Sequence, residues 1–239
     1  MRKDNIDINE EIRLKKFMSD AGFCPRREAD RLIEKGKVYV DGIRAIVGQK
    51  VTQNQLIECN GQKIGREEEL ILLAFNKPRG IICSTVDKEG TNIVDYINYG
   101  KRIYPIGRLD KESEGLILLT NDGSISDKIL RSRNNHEKEY IVTVNKNITE
   151  QFIKGMSNGV PILDVVTKKC VVEKVDNRTF RIILTQGLNR QIRRMSEYFG
   201  YKVIKLKRIR ICNIKLGELE VGKYRNISNL ELKKLKELL

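Results

Sequence analysis

The chain of 239 residues contains a single histidine, His136. That excludes a zinc site of the HExxH kind and leaves a Ser-His-Asp triad only this one residue to use. His136 lies in the polar stretch "NNHEKEY", where a surface position is the expectation. The five cysteines, Cys24, Cys59, Cys83, Cys170 and Cys212, are scattered, and no two form a CxxC pair. Zinc knuckles and thioredoxin-type chemistry are therefore disfavoured, and the cysteines read as buried free thiols. Neither GxGxxG nor GxxxxGKS/T occurs, so no nucleotide cradle is signalled. No apolar run reaches the roughly 20 residues that span a bilayer. The opening "MRKDNIDINEEIRLKK" lacks the apolar centre of a signal peptide. These absences predict a cytoplasmic protein that does not use a membrane. Its chemistry must rest on carboxylate, tyrosine, lysine or arginine, with no metal and no cofactor.

Basic charge is what the chain has in excess. Lysine and arginine number 46 against 32 acids, for a net charge of +14 and a pI near 9.6. Such a balance calls for a polyanionic partner. Hydrophobic residues at 40% and charges of both signs, interspersed, describe a folded chain with a real core. The length suits one large domain or two smaller ones.

The pattern along the chain favours two. "EIRLKKFMSDAG" spaces Ile12, Leu14, Phe17 and Met18 as a helix that stops at Gly22. "PRREADRLIEKG" begins with Pro25 and ends at Gly36, as a short helix should. "KVYVDG" alternates Val38 and Val40 into a strand with an Asp-Gly turn, and "VTQNQLIECNG" reads as a strand or strand pair ending at Asn60-Gly61. The polar "QKIGREEEL" suits a linker, which divides the chain into residues 1–66 and 67–239. In the second part "ILLAFNKPRG", "GLILLTNDG", "KEYIVTV", "TFRIILTQG" and "YKVIKLKRIRICNI" read as strands, the second of them closed by an Asn-Asp-Gly turn. "TEQFIKGMSNGV" is a helix capped by Thr149, "NRQIRRMSEYFG" a helix closed by Gly200, and "SNLELKKLKELL" a helix capped by Ser228 or Asn229. Strands and helices mix without βαβ alternation. The fold class is therefore α+β, with a mixed, mostly antiparallel sheet flanked by helices.

Both parts are basic, +4 up to Arg66 and +10 beyond it. In the first part Arg13, Lys15 and Lys16 fall on one helix and Arg26, Arg27 and Arg31 on the next, a pair suited to gripping phosphates. An ordinary solvated face is the plainer reading of the same charges. A denser cluster runs from Arg190 to Arg210 with Arg193, Arg194, Lys202, Lys205, Lys207 and Arg208 between them. On a helix Arg190, Arg193 and Arg194 share one face, while Ile192, Met195 and Phe199 anchor the other to the core. That arrangement favours anion binding.

"GRLDKESEG", Gly107–Gly115, holds three acids and two bases between glycines, just ahead of "LILLT". Solvated turns and active-site loops are both built this way, so Asp110 alone fits either.

At this point the motifs resemble a known family. "RLKKFMSDAGFCPRREADRLIEKGKVYVDG" resembles the S4 RNA-binding domain. "YPIGRLDKESEGLILLTNDG", "HEKEYIVTV" and "QGLNRQIRRM" resemble, in this order, the three core motifs of pseudouridine synthases of the RsuA/RluB/RluE/RluF group. "NKPRG" (Asn76–Gly80) is similar to their opening catalytic strand, and the stretch through "KLKRIRI" is most similar to the RluF type. The likeness runs from about Ile12 to the C-terminus. It implies site-specific isomerisation of uridine to pseudouridine in structured RNA, with large-subunit ribosomal RNA as substrate and transfer RNA open as a second one, and a monomeric enzyme. It implies that Asp110 is the catalytic aspartate, that Tyr140 packs against the target base, and that Arg193 pairs with Asp110. Arg108 is implied to contact the RNA backbone or the flipped nucleotide, and Arg190, Gln191 and Arg194 are assigned to RNA binding with Arg13, Lys16, Arg26 and Arg27.

The reaction breaks the bond from ribose to N1 of uracil, turns the ring and joins C5 to the same ribose carbon. Nothing is oxidised or transferred, in keeping with a chain that lacks metal and nucleotide motifs. Attack on the sugar, attack on the base and removal of a sugar proton are all open to Asp110, and each needs an ionised carboxylate. Burial would oppose that ionisation and Arg193 would favour it. The alternative from another class is an S4-type RNA-binding assembly factor with an inactive second domain. A DNA-binding regulator is weaker, because the helix pair lacks a dimerisation element to match paired half-sites.

Overall fold

Residues 10–52, 54–65, 70–84, 91–130 and 135–239 are described by the computed structural model, which separates into two units. One takes in the chain up to Leu70 together with Gly100–Arg102, and the other Ile71–Tyr99 and Ile103–Leu239.

In the first unit the helices Leu14–Asp20 and Arg26–Glu34 pack on small sheets. The four-stranded one has the order Ile43–Arg44, Val38–Val40, Ile57–Cys59, Gln62–Lys63. Its two hairpins turn at Asp41-Gly42 and Asn60-Gly61, with φ of 51° and 80° in the first and 51° and 77° in the second. Positive φ at both central residues gives a turn whose twist matches the strands, which is why Asp-Gly and Asn-Gly stand there. Leu14, Met18, Ala29, Ile33, Val38, Ile57 and Cys59 fill the core. The first helix starts later than the apolar spacing suggested. Ile12–Arg13 is extended and pairs with Lys50–Val51, so Arg13 precedes the helix instead of riding on it.

The second unit is built on a nine-stranded sheet among the described residues. Its main path runs Val171–Lys174, Thr179–Leu184, Lys138–Val144, Val203–Ile211, Glu114–Thr120, Leu72–Lys77, Tyr224–Asn226. Neighbours are antiparallel except at one seam, where Val203–Ile211 runs parallel to Glu114–Thr120 through the pairs Lys207↔Glu114 and Arg208↔Gly115. The sheet is thus mixed and mostly antiparallel. Glu114–Thr120 and Leu72–Lys77 are buried almost throughout, as their unbroken apolar runs require, whereas Thr179–Leu184 alternates. Val142, Phe180, Ile182 and Leu206 on one face meet Phe152, Met156, Ile192 and Met195 from the helices Glu150–Ser157 and Gln191–Tyr198. Thr149 caps the first of these by accepting from the Phe152 amide. The C-terminal helix Asn229–Leu238 is capped by Ser228, in a capping box with Glu231.

Asn121-Asp122-Gly123, expected as the turn that closes the strand, leads straight into a helix. Gly123 begins a helix that runs to Leu130, and the Asp122 carboxylate accepts from the Ser124 amide at its start. His136 also departs from expectation, since it is buried, and its desolvation together with nearby Lys138 pushes its pKa down. The cysteines are free, and all but Cys170 are buried. No helix among the described residues is long and apolar enough to cross a membrane.

Candidate active site

The parallel seam decides where the site lies. "GRLDKESEG" forms the loop that enters Glu114–Thr120, and its neighbour Val203–Ile211 pairs on the other edge with Lys138–Val144. Arg208 and Tyr140 are direct cross-strand partners. A cavity of about 740 Å³ opens over this junction, lined by Arg108, Asp110, Lys138, Tyr140, Arg190, Arg193 and Arg208 among others.

The loop is held from below. Leu109 donates its amide to the Cys83 thiol at 3.4 Å, and Gly80 donates to the Lys111 carbonyl at 2.7 Å. The Ser113 amide returns to the Asp110 carbonyl at 2.9 Å, closing a turn. Lys77, fully buried, donates its ammonium to the carbonyls of Pro78 at 2.7 Å and Ser113 at 2.9 Å. Burial pushes its pKa down, while Asp110 and Glu114 act the other way. The motif places Lys77 only within an opening strand. A lysine two residues past the apolar run 71–75 is the signal that marks it.

Asp110 is about one-third exposed, with Arg193 Nε at 3.7 Å and Arg190 Nη1 at 4.0 Å from its Oδ2. Arg193 is buried, and burial is the first cause that lowers its pKa. Its guanidinium donates to the Ser113 hydroxyl and the Val203 carbonyl, both at 3.3 Å, which fixes it beside the loop. The helix Gln191–Tyr198 therefore does not turn three arginines outward. Ile192 and Met195 anchor it as expected, yet Arg193 faces the protein, where Asp110 and Glu112 offset the cost of its burial. Arg190 stands just before the helix in the left-handed region at φ 50°. A residue other than glycine is uncommon there, and such strain gathers at functional loops.

Tyr140 is buried against the cavity, and the guanidinium carbon of Arg208 lies 6.0 Å from its ring centre. Arg108 is exposed at the rim. Gln191 is buried, with its carbonyl accepting from the Leu188 amide, so it braces its own loop. Arg194 donates to the Asn189 carbonyl at 3.1 Å and does not line the cavity. The basic cluster up to Arg210 divides. Arg208 enters the cavity lining, Arg210 binds Glu137 and Glu139, and Lys205 binds Glu114. In the first unit Arg13, Arg26 and Arg27 are exposed, while Lys16 pairs with Asp20 at 3.1 Å. No cluster able to hold a metal ion occurs among the described residues.

Residues 71–198 match the RNA pseudouridylate synthase family, and residues 12–64 match the S4 domain. The chain is 56% identical over 223 residues to the dual-specificity RNA pseudouridine synthase RluF of Escherichia coli K12, covering 92% of this chain and 77% of that one. It is 36% identical over 235 residues to ribosomal large subunit pseudouridine synthase B of Bacillus subtilis 168, covering 95% and 96%. A crystal structure of a pseudouridylate synthase superposes with a TM-score of 0.70 at 29% identity, over 94% of this chain and 99% of that one.

Proposed function

The chain belongs to the RNA pseudouridylate synthase family, and from that premise we propose that it converts chosen uridines of structured large-subunit ribosomal RNA to pseudouridine. The observation that carries the reading is the carboxylate of Asp110 in the lining of a cavity, 3.7 Å from a buried arginine, with Tyr140 in the same lining. In this reading the target uridine leaves its stack at a cost of a few kcal/mol, least in a loop or bulge. Its ring rests on Tyr140, and its ribose faces Asp110. Arg193, itself fixed by Ser113 and Val203, holds the direction of the carboxylate through the ion pair at 3.7 Å. Arg108 and Arg190 at the rim hold the RNA backbone. The exposed Arg13, Arg26 and Arg27 of the S4 unit add phosphate contacts that position the RNA without reading its bases. The enzyme acts as a monomer, and transfer RNA is the second substrate to test, since one relative is named for dual specificity.

Release of tritium from C5-tritiated uridine in large-subunit ribosomal RNA tests this reading. Wild type should release it, and Asp110→Asn, which keeps the size but loses the charge, should not. Equal release by both would remove Asp110 from the chemistry. Tight RNA binding without release by either, on ribosomal or transfer RNA, would favour an assembly factor.

A further inference from the structure

Beside Tyr140 the cavity wall carries more positive charge than the protein neutralises. Arg208 is 3% exposed, its Nε donates to the Leu116 carbonyl at 2.7 Å, and its buried Nη2 has no hydrogen-bond partner among the described residues. Lys138 stands two residues before Tyr140 on the same face of the strand and lines the same cavity. Among the described residues its ammonium donates to the His136 carbonyl, at 3.3 Å. Burial pushes the Lys138 pKa down first, and the charge of Arg208 pushes it further. Among the described residues no carboxylate pairs with either group. Arg193, by contrast, has Asp110 and Glu112, and Lys77 has two carbonyls. Holding a buried guanidinium beside a half-buried ammonium without an acid is costly, and a buried guanidinium nitrogen without a partner adds to the cost. Such an arrangement persists where a negative charge arrives during function.

The isomerisation supplies one. If Asp110 attacks the ribose, the C1′–N1 bond breaks and its electron pair stays on N1, spread over O2 and O4. If Asp110 removes a ribose proton, the same bond breaks and the same ring anion departs. If Asp110 attacks C6, the pair moves to C5 and O4 as an enolate. On every route the C1′–N1 bond breaks and the ring carries negative charge before C5 bonds to C1′. Asp110 is then released from C1′ or C6, or returns the ribose proton, C5 gives up its proton, and no oxidant or reductant is needed. Resting on the function proposed above, we propose that Arg208 and Lys138 form a cationic wall that stabilises the negatively charged uracil ring against Tyr140. Donors placed in advance where charge develops, in a site that excludes water, stabilise the transition state more than the ground state.

The test uses the full chain with RNA carrying uridine or 4-thiouridine at the target position. Arg208→Met and Lys138→Met should each lower kcat by about a hundredfold, with KM and RNA affinity within about twofold of wild type. Arg208→Lys should restore most of the rate. Sulfur at C4 takes up negative charge more readily than oxygen and leaves the C5 hydrogen in place, so the deficit of both methionine variants should shrink about tenfold on the thiolated substrate. If Arg208→Met does not fold without its bond to Leu116, Lys138→Met carries the test. Unchanged kcat, an equal deficit on both substrates, or a loss confined to KM and steepened by salt would overturn the proposal, the last indicating a backbone phosphate as ligand. If wild type converts no uridine, the proposed function falls and this inference with it. If wild type converts uridine and the variants match it, this inference falls alone.

Discussion

Arg225 and Glu231 show how far one ion pair can shift a titration. Both guanidinium nitrogens of Arg225 lie 2.8 Å from the Glu231 carboxylate, and the Ser228 amide adds a bond at 2.9 Å. The Arg225 bond is the first cause that lowers the Glu231 pKa, to about 2. An unfolded glutamate titrates near 4.3, so the folded chain holds this proton more weakly than the unfolded one. The stability from the pair is therefore full above about pH 5 and is lost as the pH falls toward 2. Discounted for screening by water, it amounts to roughly 1–2 kcal/mol. Thermal melts should show Glu231→Gln below wild type at pH 7, with the gap closing by pH 2.5. A gap that does not change with pH would place the effect in packing instead of charge. At the same scale, the identity of Asp110, Tyr140 and Arg193 as candidates was legible from motifs. The burial of Arg193 was not, because helical spacing assigns a face only relative to the partners that the rest of the chain supplies.

The strands explain Gly115. It ends the loop that presents Asp110, and it pairs with Arg208 across the parallel seam. Its φ is 101°, and a Cβ there would meet the Arg208 carbonyl oxygen at 2.3 Å and the Arg208 amide nitrogen at 2.8 Å. Both the conformation and the contact demand glycine. Gly115→Ala should cost more than about 2 kcal/mol, since it adds backbone strain to a steric clash in the sheet. Urea unfolding measures the loss directly, and a change under 0.5 kcal/mol, as for an ordinary surface substitution, would mean that the seam yields easily. Glycines bracketing a charged loop were visible in "GRLDKESEG", but which of them faces another backbone depends on a partner strand some 90 residues later. The buried strands and the helices with clear caps were likewise readable, as at Thr149 and Ser228. The hairpin of Pro161–Ile162 with Val165–Val166 and the helix Ile93–Ile97 were not, because such short elements have too few residues for periodicity to register.

Across the whole molecule, positive charge lies on two units with separate cores. Residues 1–66 carry +4 and residues 67–239 carry +10 of the total of +14. Each phosphate contact releases counterions and contributes about −0.7 to −0.9 to the slope of log affinity against log salt. Removing residues 1–66 should therefore weaken RNA binding, flatten that slope by about 2–3 for three exposed arginines, and relax the choice of uridine while the catalytic unit stays folded. Titrations of full-length and shortened chains at several salt concentrations decide this, and an unchanged slope with unchanged site choice would exclude a targeting role for the first unit. The sequence by itself determined the α+β class, the polyanionic partner, and the motifs that carry Asp110, Tyr140 and Arg193, because charge, alternation and motif order are properties of the chain. Only the tertiary structure decided that Arg208 and Lys138 share a cavity wall with Tyr140 with no acid among the described residues to balance them. Charge balance in a cavity depends on which strands become neighbours, and long-range pairing sets that.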